Sequence, residues 1–310
     1  MASGESSVTD YFAKACQLDT NDFPIGIGDD MAQMNFGTNC SALITTDMLL
    51  DGTHFDSTQH TLRQIAYKSM AVNLSDCAAM ATVPFAAVVS VGLPRGFGGA
   101  DLKEFHAGII EAGEKFGCAL IGGDITSWQN DAGRLVVNVA MLSKIGNCAP
   151  IKRSTAKVGD IVCVTGDLGG SLKGSHLDFV PRVKEALRLT ELVEINSMMD
   201  ISDGLGSDIR HICRLSGVGA ILKATEIPIS TVAKESTNPL ESALCDGEDF
   251  ELLFTLSPEN FEKLKGKWDL PIGITGIGKI TQQKEIEMID VNGNRSVLVA
   301  RGYDHLEGKD

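Results

Sequence analysis

The chain has no C-x-x-C pair. Its eight cysteines, Cys16, Cys40, Cys77, Cys118, Cys148, Cys163, Cys213 and Cys245, lie scattered, which argues against both a zinc site and a disulfide framework and reads as reduced, mostly buried thiols. No apolar run approaches the ~20 residues that span a bilayer. The start, Met1 to Asp10, is polar and acidic, where a signal peptide would be basic and then apolar. The expected compartment is therefore the cytoplasm, with no membrane partner. Basic residues are also scarce: 27 Lys and Arg stand against 41 Asp and Glu, a net charge of −14. Nucleic acid is an unsuitable partner for such a surface, because phosphate backbones are held by Lys and Arg that release counterions. Two readings of the acidity stay open, solubility alone or the handling of phosphates through intervening divalent cations. A complete G-x-x-x-x-G-K-[ST] loop is missing, and so are repeats at the 20 to 50 residue scale and low-complexity tracts.

What is present suits two mixed domains: 310 residues, 43% hydrophobic and 22% charged. Ala42–Met48, Ala86–Leu93, Ala119–Gly122 and Leu135–Leu142 read as strands. Between them, Leu62–Ala81 and Asp101–Phe116 read as helices, the second stopped by Gly117. The segment Gly146–Gly159, with Pro150 and several basic residues, breaks the pattern and marks a boundary between domains 1–147 and 148–310. Beyond it come a strand at Ile161–Thr165, a Gly-rich turn at Gly166–Gly174 and a helix near Pro181–Val193. A strand ending at Asp200, a helix at Gly204–Leu215 and strands near Ala220–Lys223, Glu251–Leu256, Ile272–Lys279 and Val297–Ala300 follow.

Aspartates recur at the ends of these predicted strands, beside glycine or hydroxyl residues: Gly28-Asp29-Asp30, Thr45-Thr46-Asp47, Ser75-Asp76, Gly122-Gly123-Asp124 and Asp200-Ile201-Ser202-Asp203-Gly204. Strand ends can aim side chains into one crevice, and hard oxygen donors gathered there suit Mg²⁺. Taken singly, each has a structural reading as a turn or as a helix cap, Asp200 and Ser202 before Gly204 included. Gly273–Ile280 comes within one residue of a phosphate loop but lacks its hydroxyl and reads as strand, while the glycines of 166–174 could wrap a phosphate through backbone N–H groups. Arg153 is open to a bidentate phosphate contact or to plain solvation. His54, beside Phe55, suits ligand contact or packing equally; His60, His176, His211 and His305 are taken as structural.

The ordered set of these motifs, with Asp51-Gly52-Thr53-His54-Phe55, the run Ala71–Met80, Gly247-Glu248-Asp249-Phe250-Glu251-Leu252 and Gly302-Tyr303-Asp304-His305, resembles the thiamine-monophosphate kinase family, within the aminoimidazole ribonucleotide synthetase-like superfamily. The resemblance spans nearly the whole chain. It implies an α+β architecture of two domains, an N-terminal ferredoxin-like half and a C-terminal mixed α/β half, and a homodimer paired through the N-terminal halves. It also implies transfer of a phosphoryl group from ATP, with several Mg²⁺ ions, to thiamine monophosphate. Asp30, Thr45, Thr46, Asp47, Asp76, Asp124, Asp200 and Asp203 fall on the family's metal positions. Gly123, Asp124, Arg153, Ser202 and His106 fall on ATP positions, and His54, Glu248 and Tyr303 on positions that hold the thiamine phosphate. Because the acceptor is already an ionised phosphate, no catalytic base is expected, in keeping with the lack of a Ser-His-Asp or Cys-His constellation. The chain departs from the family in a short stretch between Gly174 and Pro181, in Asp246 before Gly247, and in Leu306. Another ATP-using enzyme of the superfamily, a metal-dependent phosphohydrolase and a non-catalytic sensor are the rival expectations.

Overall fold

The computed structural model describes residues 18–37, 41–299 and 302–303; the predicted positions Cys16, Cys40, Asp304, His305 and Leu306 lie outside them. The first sheet contains β1 (Ala32–Asn35), β2 (Ser41–Leu50), β3 (Val83–Leu93), β4 (Ala119–Ser127) and β5 (Val136–Lys144), in the order β1-β2-β5-β3-β4. β5 shows the burial of period two that a sheet covered on one face requires: Val137, Val139, Met141 and Ser143 are buried, and their neighbours are not. The covering element is α1 (Leu62–Ala79). Thr61 caps it in a reciprocal box, its hydroxyl accepting the Gln64 N–H at 3.2 Å while the Gln64 side chain accepts the Thr61 N–H at 3.1 Å. Such a cap is worth about 1 kcal/mol.

Beside it lies α2 (Gly99–Phe116), ended by Gly117 in the left-handed conformation at φ 68° as the sequence predicts. Two helices on one sheet face give the half its ferredoxin-like character. The connectivity differs in detail: from β2 onward it runs β-α-β-α-β-β, with β3 and β4 parallel, where the ferredoxin plait runs β-α-β-β-α-β.

The second sheet contains β6 (Ile161–Thr165), β7 (Ser197–Asp200), β8 (Gly219–Lys223), β9 (Leu252–Leu256), β10 (Ile274–Thr281), β11 (Ile286–Ile289) and β12 (Arg295–Val297). Their order is β12-β11-β8-β10-β6-β9-β7, antiparallel except where β11 pairs with β8. Four helices accompany it: α3 (Val183–Leu192), α4 (Leu205–Ser216), α5 (Pro239–Cys245) and α6 (Pro258–Lys267). The sequence reading passed over α5 and α6, although Asn238-Pro239 and Ser257-Pro258 carry the cap-then-proline signal.

α1 holds the two halves together. Apolar residues occur all round it, and it is buried on nearly every side. One core joins Met70 and Leu74 of α1 and Val139 and Met141 of β5 to Leu189, Met198, Leu252 and Phe254 of the second half. Each such large side chain contributes roughly 1.5–3 kcal/mol by leaving water. A second core lies on the other side of the second sheet, with Ile209 and Ile212 of α4 over Val162, Val164 and Leu253. The segment read as a domain boundary is no loose linker: Ile151 is buried and its N–H bonds to the Met80 carbonyl at 3.2 Å.

Candidate active site

Four segments far apart in sequence deliver acids to one place. Asp30 comes from the turn before β1, Thr45 and Asp47 from β2, Asp76 from α1 and Asp200 from the end of β7. Asp30, Asp76 and Asp200 each offer a carboxylate oxygen within 4.8 Å of the others. The Thr45 hydroxyl donates to Asp76 and the Ser75 hydroxyl to Asp200, both at 2.5 Å. Arg153 closes the edge. Its Nε and Nη2 donate to the two oxygens of Asp30 at 2.9 and 2.8 Å, and its backbone N–H donates to Asp29 at 2.7 Å. The boundary segment thus reaches into the site.

Crowding acids in a dry place makes them hold protons. Burial pushes Asp47 up to about 6, against a hydrogen bond from Asp76 and with the charge of Asp30 adding to the rise. Asp200 is pushed up to about 7, first by burial and then by Asp30. Asp76 rises well above the carboxylate range, through burial and then the charges of Asp47, Asp200 and Asp30. One guanidinium does not neutralise such a set, and a divalent cation with oxygen ligands fits it. A second group, Asp203, Asp208 and His211, brings ligand atoms within 4.8 Å of one another beside it. Asp200 and Ser202 do not cap the following helix: Gly204 occupies the cap position of α4, with no side-chain cap bond.

The residues matched to the thiamine phosphate converge next to this cage. Glu248 has a left-handed backbone, φ 55°, and its N–H donates to the carbonyl of Ser202 at 2.7 Å. Its carboxylate meets Lys68 of α1, 2.8 and 2.7 Å from Nζ, and the same ammonium donates to the His54 carbonyl at 2.6 Å. The His54 ring accepts the Leu50 N–H through Nδ1 at 3.0 Å. Tyr303 is exposed, and its N–H donates to the Asp203 carbonyl at 3.2 Å. Gly302 allows that approach, since a Cβ there would sit 2.3 Å from the Cβ of Ser207.

Other predicted positions stand apart. In the strand register Asp47, Val139, Val89 and Gly123 form one row, and Met48, Asn138, Ser90 and Asp124 the next. Successive rows face opposite sides of a sheet, so Asp124, which is exposed, belongs to the side away from Asp47. Thr46 lies on that side too, its hydroxyl donating to the Val139 carbonyl at 2.9 Å. Gly123 has a structural demand of its own, because a Cβ would come 1.9 Å from the Val89 carbonyl oxygen. His106 sits on the exposed side of α2, in a groove with Arg63 and Glu111. Within the protomer none of these contacts joins Thr46, Asp124 or His106 to the acidic cage. The Gly-rich turn at 166–174 is corrected more firmly: Gly169 N–H donates to Asp249 at 3.0 Å and Gly170 N–H to Asp246 at 2.9 Å. The turn holds the loop that carries Glu248, and those N–H groups are committed to carboxylates.

Comparison with known proteins gives this geometry its context. Residues 28–145 match AIR synthase related protein, N-terminal domain, and residues 157–291 match its C-terminal domain. Thiamine-monophosphate kinase of Rhodopirellula baltica is 37% identical, covering 83% of both chains, and that of Buchnera aphidicola subsp. Acyrthosiphon pisum is 33% identical, covering 97% of this chain and 98% of its own. The chain belongs to the thiamine-monophosphate kinase family. A solved structure of AaThiL complexed with AMPPCP and TMP superimposes with a TM-score of 0.82 at 27% identity, covering 97% of each chain.

Membership in the thiamine-monophosphate kinase family does not by itself bring out several residues that the fold places at the site. Lys68 and Asp208 carry no signal in the sequence, Asp29 stands out only as the neighbour of Asp30, and His211, read as structural, joins Asp203 and Asp208. Lys68 and Asp208 sit within helical runs, where a charged residue usually faces water. Burial raises Asp208 well above the carboxylate range, with Asp203 and Asp200 adding to it, and its Oδ1 has no hydrogen-bond partner. His176 and His60, read as structural, stack edge to face with ring centres 5.9 Å apart. His176 is close enough to Lys68 and Glu248 to feel their charges, and burial, then Lys68, lowers its proton affinity.

Proposed function

We infer that the protein transfers a phosphoryl group from ATP to thiamine monophosphate, giving thiamine diphosphate and ADP. The observation that carries this reading is the convergence of Asp30, Asp76 and Asp200 with Arg153 at their edge, in a chain of this family. Both reactants are anions at the reacting ends, and bringing them into contact requires positive charge between them. Asp30, Asp47, Asp76 and Asp200, with the Thr45 hydroxyl, are the residues we propose to hold Mg²⁺, and Asp203 beside them extends the set. When bound, the ions supply charge neutralisation and alignment of the two phosphates. Arg153 and Ser202 border the cage, which supports them as nucleotide contacts. Gly123, Asp124 and His106 rest on the resemblance alone. Glu248, His54 and Tyr303 are proposed to hold the thiamine moiety, with the Tyr303 ring stacking on it. The acceptor oxygen needs no base, so orientation by these residues carries the rate.

The decisive experiment is incubation with Mg·ATP and thiamine monophosphate, with products identified by mass. One thiamine diphosphate per ADP is expected; phosphate released without thiamine monophosphate would replace this reading with a hydrolase. Residues 1–147 and 148–310 are the two domains of the proposal, supported by family matches that end at 145 and resume at 157. A homodimer belongs to it too. The side of the first sheet turned away from α1 exposes Met48 at 57%, Val88 at 39% and Leu50 at 38%, and a second copy of the chain would cover them. Sedimentation should give a dimer, and Met48→Glu a monomer. We place the reaction in the cytoplasm; among the described residues no helix is long and apolar enough to cross a membrane.

A further inference from the structure

Lys68 stands out among the charged side chains. It is 0% exposed and is the one lysine among the buried polar residues described. Burying an ammonium is costly, and the cost shows as a proton affinity lowered first by desolvation and sustained by Glu248. Its three protons have three acceptors: the two oxygens of Glu248 at 2.8 and 2.7 Å and the His54 carbonyl at 2.6 Å. The ammonium is therefore saturated within the protein. Both of its partners flank the proposed thiamine pocket, one from each half of the chain.

The loop that carries Glu248 is under strain that something must offset. Glu248 and Phe250 both have positive φ, 55° and 50°, a conformation that residues with a side chain rarely adopt. Phe250 is fixed by stacking on Phe179, with ring centres 4.2 Å apart, and the Phe179 carbonyl accepts the Tyr67 hydroxyl at 3.1 Å. Glu248 is fixed by Lys68, the residue after Tyr67 on α1. The same helix carries Ser75, seven residues on and hence on the same face, bonded to Asp200 of the acidic cage. Seven residues of helix measure about 10.5 Å. α1 thus sets the spacing between the cage that takes phosphates and the loops that take the ring system.

The geometry points to Lys68 as a positioning residue: it acts through Glu248, orienting that carboxylate toward the thiamine moiety, and does not itself touch the reacting phosphates. This rests on the proposed substrate site. The test compares four proteins, wild type, Lys68→Met, Glu248→Gln and the double variant, by KM for thiamine monophosphate, kcat, and affinity for Mg·ATP. Lys68→Met should raise KM for thiamine monophosphate by about 10- to 100-fold, with kcat within threefold and Mg·ATP affinity unchanged. In the Glu248→Gln background the same change should add less than threefold. Because Lys68→Met leaves a carboxylate unpaired and could fail to fold, the comparison of Glu248→Gln with the double variant, which removes both charges, decides the matter alone. A further tenfold rise in KM, or a tenfold loss in kcat or in nucleotide affinity, on adding Lys68→Met to Glu248→Gln overturns the positioning role. A wild-type KM in Glu248→Gln overturns the substrate-site reading beneath it.

Discussion

Arg153 grips Asp30 through two parallel hydrogen bonds of 2.9 and 2.8 Å, and so ties the segment between the two sheets to the acidic cage. A bidentate pair of this kind fixes geometry as well as charge. It leaves Asp47, Asp76 and Asp200 without an equivalent cation.

Asp76→Asn removes a carboxylate repelled by three others. The metal-free variant should melt at a higher temperature than the wild type, while kinase activity falls by about two orders of magnitude or more. Thermal unfolding in chelator, beside a coupled ADP assay, tests both. A lower melting temperature would mean that the acids are not in conflict.

The pH response has a definite sign. Asp47, Asp200 and Asp249 have proton affinities raised to about 6, 7 and 7, so between the ordinary carboxylate range and pH 7 the folded state binds more protons than the unfolded one. Their contribution to stability is complete at low pH and is lost as pH rises through those values. His176, with its lowered affinity, opposes this below about pH 6.5, as one group against several. In chelator the melting temperature should fall from pH 5.5 to pH 8. Added Mg²⁺ should stabilise more at pH 8, where the acids are ionised. A stabilisation by Mg²⁺ that is independent of pH would count against the cage as its site.

Gly302→Ala places a Cβ against Ser207 and should push Tyr303 off Asp203. KM for thiamine monophosphate should rise several-fold, with Mg·ATP affinity and melting temperature close to wild type, as measured by steady-state kinetics and nucleotide titration.

Lys279→Ala tests the near-miss phosphate loop. Lys279 lies in β10, paired with Ile161 and Ile221, and no helix follows it directly. Activity should stay within about twofold of wild type, because a phosphate loop acts by leading into a helix N-terminus.

Phe254→Ala measures the core that the two halves share. The ring is completely buried, and its loss should cost about 3–5 kcal/mol by denaturant unfolding, with a molten or insoluble product as the extreme case.

Much was legible in the sequence for local reasons. The strands and long helices announced themselves by period and by caps such as Gly117, which has the left-handed turn its type favours. Asp30, Asp47 and Asp200 were legible as candidates because strand ends and neighbouring glycine or hydroxyl residues flag such acids, whereas Asp76 lies within α1 and stood out only through its Ser75-Asp76 motif. The Gly-rich turn offers a phosphate cradle by sequence, since nothing local reveals that the N–H groups of Gly169 and Gly170 meet Asp249 and Asp246 from some 80 residues away.

By itself the sequence determined the element pattern, the acidic balance and the ordered motifs that carry the family. Those depend on neighbours along the chain. Only the tertiary structure decided which acids share a cage and which, like Asp124 and Thr46, face the other side of the sheet, because a strand's register turns on its pairing partner. It alone made Lys68 a buried cation between His54 and Glu248. Whether a charge on a helix meets water or a carboxylate depends on what packs against it, and here that partner lies 180 residues further on.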